Sequence, residues 1–182
     1  MNVYKGADLA AFAKKAKADG VKFLLGGNFE ILTPERLEIL RVNNPGSITD
    51  NRYAFAKDNY IGKRVTDCSG LIYGFLKDGK RRTSAALYNN AAKRVKITAQ
   101  NADKIPVGAV LWREGHVGVS IGGGNEIDAR GFDYGIQERK IKNTGFTHYL
   151  LFSDFDYNKT GGGFLLPALF IGAAALYFIT KK

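Results

Sequence analysis

Between His116 and Arg130 the chain alternates apolar and polar side chains on either side of three consecutive glycines. Val117, Val119 and Ile121 interleave with His116, Gly118 and Ser120; Ile127 and Ala129 interleave with Glu126, Asp128 and Arg130. A period of two belongs to a half-buried strand. Two such segments joined by Gly122-Gly123-Gly124 bury one apolar face together by folding back as an antiparallel hairpin. A three-residue loop pairs residue 121 with 125, 120 with 126 and 118 with 128. That register sets Asp128 on the face of His116, diagonally across from it, at a backbone distance of about 7–8 Å that a His–Asp hydrogen bond can span. Gly118, opposite Asp128, leaves the space between them unfilled. A loop of two or four residues would turn Asp128 to the other face.

The rest of the chain supplies helices first and strands later. Residues 7–19 read as a helix with Leu9, Phe12, Ala13 and Ala16 on one face, ended by Gly20. Thr33 can cap a second helix with Pro34 in its first turn; Arg36 stands where a capping box would have glutamate. Asn43-Asn44-Pro45-Gly46 breaks the chain. A third helix is expected over 50–60 and an apolar one over 68–77, ended by Asp78-Gly79. Strands are expected at 107–112, 116–121, 126–130, 135–141 and 146–152. This order predicts an α+β domain.

The chain has 182 residues, enough for one domain and a short appendage at roughly 100–200 residues per domain. Its 45% hydrophobic and 24% charged composition excludes a disordered, collagen-like or polytopic membrane chain. A single cysteine excludes a disulfide framework or an all-cysteine metal site, and two histidines leave little for a zinc centre, so no metal or cofactor is expected. Lys and Arg number 27 against 17 Asp and Glu, a formal charge of +10 that favours anionic surroundings such as wall polymers or lipid headgroups. The basic residues fall in short groups (Lys14-Lys15, Lys80-Arg81-Arg82, Lys93-Arg94) with no interleaved aromatics, so no specific nucleic-acid partner is expected.

Residues 1–157 are read as the domain, 158–163 (NKTGGG) as a linker, and 164–182 as a membrane-inserting or transmembrane helix with a Lys181-Lys182 end. Phe164 to Thr180 is 17 residues without a charge, at the short end of the roughly 17–25 needed to span a bilayer. Pro167 falls in its first turn, and Tyr177 and the lysines sit where interfacial anchors belong. A lipid bilayer is thus an expected partner through 164–180, with the lysines on the cytoplasmic side and the domain facing the cell wall. Ala168 and Gly172 form a small-xxx-small pair, which leaves self-association of this helix open. Met1 to Lys5 has no apolar run behind its charge, unlike a secretory signal.

The chemistry centres on Cys68 in Thr66-Asp67-Cys68-Ser69-Gly70-Leu71-Ile72, where a loop becomes an apolar helix. A helix N-terminus is expected to lower the thiol's pKa. Cys68 would attack a carbonyl, His116 take and return the proton, and Asp128 orient the imidazole. The backbone N–H groups of Cys68 and Ser69 would hold the oxyanion. The reaction class is acyl transfer from an amide to water. His148 reads as structural; Trp112, Tyr134, Tyr53 and Tyr60 are candidates for substrate contact.

In these motifs the chain resembles the NlpC family of papain-like cysteine peptidases, which cut bacterial peptidoglycan stems, over about residues 5–155. Asp67-Cys68-Ser69-Gly70-Leu71-Ile72 is similar to the nucleophile motif, and Tyr60-Ile61-Gly62-Lys63 to what precedes it in phage and Gram-positive members. His116-Val117-Gly118-Val119-Ser120-Ile121-Gly122 resembles the histidine strand, and Glu126 to Gly131, Gly135-Ile136 and Thr147-His148 follow in the same order. The resemblance implies a papain-like fold with the nucleophile-bearing helix packed on an antiparallel sheet. It implies Cys68 as nucleophile, His116 as base and Asp128 as third polar residue, a position that varies in the family. Members often carry a Tyr-Val-Trp-Gly-Gly-like segment whose tyrosine hydroxyl lies near the oxyanion. The best match here, Phe23-Leu24-Leu25-Gly26-Gly27, lacks that hydroxyl, and Tyr53 and Tyr60 are its candidate replacements. The implied function is a membrane-tethered peptidoglycan hydrolase of phage or prophage origin, acting in entry or lysis. The alternative is a structural protein of a virion or injection device, with a wall-binding peptidase-like fold and a membrane-penetrating tail. Transacylation or deamidation on the same fold stays open.

Overall fold

Tyr4 opens the computed structural model, which describes residues 4–158. A two-residue strand, β1 (Tyr4–Lys5), runs into α1 (Gly6–Ala18), whose Leu9, Ala13 and Ala16 are buried at helical spacing. Two short strands follow, β2 (Lys22–Phe23) and β3 (Asn28–Ile31). α2 (Pro34–Asn43) starts where Thr33 Oγ1 accepts the Arg36 N–H at 3.2 Å, with Pro34 in the first turn. α3 (Asp50–Asn59), β4 (Arg64–Thr66), α4 (Cys68–Leu76) and α5 (Ser84–Asn90) complete the helical half. The strands β5 (Lys93–Lys96), β6 (Val110–Arg113), β7 (His116–Gly122), β8 (Asn125–Gly131), β9 (Gly135–Lys140), β10 (His148–Leu151) and β11 (Phe155–Asp156) follow.

Six of these strands form one sheet in the order β5-β10-β6-β7-β8-β9, antiparallel throughout. Val117 and Val119 of β7 and Ile127 and Ala129 of β8 face one way, against Leu9 and Ala13 of α1 and Leu71 and Ile72 of α4. Each fully buried aliphatic side chain of this kind contributes about 1.5–3 kcal/mol of transfer free energy. The helix that begins at Cys68 therefore packs on an antiparallel sheet in an α+β fold. The opposite face carries the row His116, Gly118 and Ser120, covered at its His116 end by Phe146. A second apolar cluster joins α2, α3 and β4 through Leu24, Leu37, Leu40, Tyr60 and Val65.

Two small sheets and one helix depart from the sequence reading. β2 and β4 pair in parallel, with β3 antiparallel on the far side of β4, and β1 pairs in parallel with β11. These strands have two to four residues, too few to display an alternation, and α5 spans only seven. The strand expected from 107 starts at Val110, because Gly108 takes φ 78° in a turn that lies against Gly6. In the hairpin Ser120 pairs with Glu126, as the three-residue loop requires, but Gly122 rather than Ile121 pairs with Asn125. All three loop glycines take positive φ (86°, 58° and 70°), and the bulge they make is confined to the hairpin end. The register further in, and hence the face of Asp128, is untouched. The linker and tail expected at 158–163 and 164–182 fall, apart from Asn158, outside the described residues. Among the described residues no helix is long and apolar enough to cross a membrane.

Candidate active site

β4 delivers the chain directly into α4, and Asp67 is the joint. Its Oδ1 accepts the Gly70 N–H at 2.6 Å and the Ser69 hydroxyl at 3.1 Å. Its Oδ2 accepts the Gly26 N–H at 2.9 Å and the Arg81 guanidinium. Its own N–H donates to Gly27 O at 3.0 Å, and its carbonyl takes the Leu71 N–H at 3.1 Å. A side chain at Gly70 would drive into Gly27 O and the Thr66 hydroxyl, so glycine there lets the helix start dock on the 26–27 turn. The Gly70 and Leu71 donors are thereby consumed, while the N–H groups of Cys68 and Ser69 are directed at the Cys68 sulfur.

The thiol is partly buried, and the Val117 N–H, next along the chain from His116, also points at it. Those three donors favour the thiolate, as a helix N-terminus should. They lose to burial first and the adjacent Asp67 carboxylate second, which push the thiol up to about 11. This corrects the expectation of a lowered value: the acid that caps the helix also repels charge from its first residue. Such a thiol ionises at neutral pH only by handing its proton to a neighbour.

β7 carries the candidate for that role, His116, one residue before the Val117 whose N–H points at the sulfur. His116 is buried, and its Nε2 lies 2.7 Å from Asp128 Oδ2 on β8. A carboxylate only accepts, so Nε2 carries a hydrogen, and in the neutral imidazole Nδ1 is then the acceptor. Phe146 stacks parallel to the imidazole at 5.7 Å between centroids. Asp128 is fully buried, and its Oδ2 also accepts Arg139 Nη2 at 2.7 Å. Arg139 Nε in turn donates to Glu126 Oε1 at 3.1 Å. Glu126 is fully buried, and its carboxyl is pushed up to about 8 by burial and then by Asp128, against the pull of Arg139 and Arg130. Oδ1 of Asp128 and Oε2 of Glu126 have no hydrogen-bond partner. Glu126 and Arg139 are directly paired across β8 and β9. The sequence reading missed both, although Glu126 and Asp128 share the inward face of an alternating strand; two acids there call for a cation on the next strand.

A groove of about 360 Å³ opens at Cys68, lined by Leu25, Gly26, Asn43, Asn44, Ser69, Arg81 and Thr83 among others. Arg36 also lines it, tied to Glu30 at 2.9 Å and to Gly26 O at 3.2 Å. None of the four aromatics considered for substrate contact lines this groove. Trp112 donates its indole N–H to Ser84 O at 3.0 Å and packs on Tyr88. Tyr134 is exposed beneath Arg130. Tyr53 is bonded to Glu38 with Arg41 over its ring, and Tyr60 is buried against Phe55 and Phe132. No phenol from 53 or 60 therefore replaces the hydroxyl missing at Phe23, which packs into the main core. His148 meets the Thr147 hydroxyl at 2.9 Å and the edge of Tyr88. Among the described residues no group of three or more His, Cys, Asp or Glu side chains could hold a metal ion.

The sequence matches no protein-family model and no curated protein. Among solved structures it is similar to the NlpC/p60 domain of the peptidoglycan hydrolase SagA, with a TM-score of 0.48 and 17% identity, over 80% of this chain and 97% of that one. The P60 domain of antigen MAP1204 from M. avium subspecies paratuberculosis gives 0.48 and 23% over 81% and 96% of the two chains. NlpC1 from Trichomonas vaginalis gives 0.47 and 18% over 80% of this chain and 44% of that one. Each of these alignments covers about four fifths of this chain.

Proposed function

We propose that this chain is a cysteine peptidase that hydrolyses an amide bond in the peptide stem of peptidoglycan. The observation that carries the reading is the buried Asp128–His116 hydrogen bond, which leaves Nδ1 as the free basic atom on the strand whose next residue touches the Cys68 thiol. The ordered motifs around Cys68, His116 and Asp128 support the substrate class, and the +10 charge suits an anionic wall.

In this reading His116 Nδ1 takes the thiol proton as the sulfur attacks the carbonyl carbon. The C–S bond forms, and the carbonyl electrons move to oxygen, where the N–H groups of Cys68 and Ser69, which face the sulfur beforehand, receive the charge. As the C–N bond breaks, the imidazolium returns its proton to the leaving amine. Water then attacks the thioester with His116 again as base, releasing a carboxylic acid and the thiol. The domain is tethered to a bilayer by 164–180, a part of the proposal that rests on the sequence alone. Phage or prophage origin, with a role in entry or lysis, belongs to the same reading.

Digestion of purified peptidoglycan, with fragments mapped by mass, tests it. Wild type is expected to yield hydrolysed stems and Cys68→Ala none while keeping its fold; cleavage retained by Cys68→Ala rejects the mechanism. One observation favours a second reading, wall binding without turnover in a virion or injection device: a thiol pushed up to about 11 is a poor nucleophile unless its base engages. The reactivity of Cys68 across pH separates the two.

A further inference from the structure

Asp128 Oδ2 is shared. The imidazole Nε2–H and the Arg139 guanidinium both reach that one oxygen at 2.7 Å, while Oδ1 has no partner. A catalytic carboxylate that only oriented its histidine would need no cation on the same atom. Arg139 is itself mostly buried and carries a second bond, through Nε, to Glu126. The groups facing this cluster are Asp128, Glu126 and Arg130 on β8, Arg139 on β9 and His116 on β7, with uncharged Gly118 and Phe146 closing it. One guanidinium thus stands between two fully buried carboxyls and an imidazole.

We propose that Arg139 is a positioning residue for this site, which holds Asp128 against His116 and cancels the carboxylate's charge, while Glu126 anchors the guanidinium from behind. The inference rests on the hydrolase reading for the role of His116. Its physical basis is a charge count. A bare buried carboxylate 2.7 Å from the imidazole would favour the imidazolium strongly. Such an imidazole would be loaded with a proton before the thiol offered one. With Arg139 on the same oxygen, Asp128 presents the imidazole with an acceptor of nearly zero net charge, in effect an amide-like partner. Glu126 could spoil this by competing for the guanidinium. Burial and the neighbouring Asp128 push its carboxyl up, which weakens its claim on the guanidinium's charge and leaves more of that charge to Asp128. Gly118 gives it room: a Cβ at 118 would come 3.0 Å from Glu126 Oε2 and 2.9 Å from the Phe146 ring.

The test is the titration of the His116 imidazole by NMR in the Cys68→Ala background, where no thiol titrates with it. Arg139→Gln is expected to move the midpoint up by about one unit or more. Arg139→Lys keeps the charge but cannot span two carboxyls. Its midpoint is expected to stay with the wild type's, while in the active enzyme kcat falls and KM is held. Arg139→Gln leaves two buried carboxyls facing each other. Should it fail to fold, Glu126→Gln against Glu126→Gln/Arg139→Gln makes the same comparison with one carboxyl fewer, and the same upward shift is expected. An unmoved midpoint in whichever glutamine variant folds overturns the proposal. Peptidoglycan digestion by the wild type is read separately: no cleavage removes the hydrolase reading, whereas the imidazole titration still decides whether Arg139 cancels the charge.

Discussion

Cys68 sits in conflicting fields. Three N–H groups attract a negative charge to its sulfur; burial and the Asp67 carboxylate repel it, and repulsion wins, with the thiol pushed up to about 11. Asp67 cannot be spared, because it caps the helix that carries the thiol and ties in Gly26 and Arg81. The sign for reactivity is plain: a raised value means the thiolate appears only as pH rises. With no base to take its proton, only about one thiol in ten thousand would be ionised at pH 7, four units below about 11. His116→Ala is therefore expected to show iodoacetamide alkylation that is very slow at neutral pH and climbs steadily toward alkaline pH. On the proposed mechanism wild type should react well below that limb, the imidazole taking the proton. Superimposable profiles for the two proteins would mean that His116 does not serve the thiol, and would favour wall binding without turnover.

Among the elements, α4 matters most, because its first residue is the proposed nucleophile and its second turn is core. Its start is fixed by a close approach rather than by propensity. A methyl at Gly70 would run into Gly27 O, a backbone atom held by its hydrogen bond from Asp67 N. Gly70→Ala is expected to lower stability by about 1–3 kcal/mol, the usual cost of overpacking. It should also lower kcat, by lifting Cys68 away from β7. Thermal melts and wall digestion would check both; an unchanged melting temperature would mean that the 26–27 turn yields freely. This contact also marks where sequence reasoning stopped. The caps at Thr33 and Asp67, the helix face of Leu9, Ala13 and Ala16 and the alternation of β7 and β8 are local patterns, and they lead to the observed elements. The docking of residue 70 on residue 27 is not local, nor is the pairing of β2 with β4, and no spacing along the chain announces either. The same holds for Arg139, which acquires meaning only once β9 is laid against β8. The helix-terminus argument for Cys68 was sound as far as it went; it lacked the desolvation that tertiary packing imposes.

At the scale of the whole molecule, the described chain closes on itself. β1 pairs with β11, Tyr4 opposite Phe155 and Lys5 opposite Asp156, so the two ends of the fold lie side by side. The Tyr4, Phe75 and Phe155 rings pack together at that seam. The site lies in the same closed unit, since Cys68, His116, Asp128 and Arg139 are held by α4 and the hairpin strands. A chain ending at Asn158 is thus expected to melt within a degree or two of the full protein and to cleave soluble wall fragments at a comparable kcat. Phe164 to Thr180, uncharged and followed by two lysines, has the composition of a bilayer segment. Flotation with anionic phospholipid vesicles is therefore expected for the full chain and lost on truncation. If the shortened protein still floats, the surface charge of the domain rather than the tail makes the attachment. If it unfolds, the tail packs on the domain, and the division of labour between a soluble catalyst and a greasy anchor is wrong.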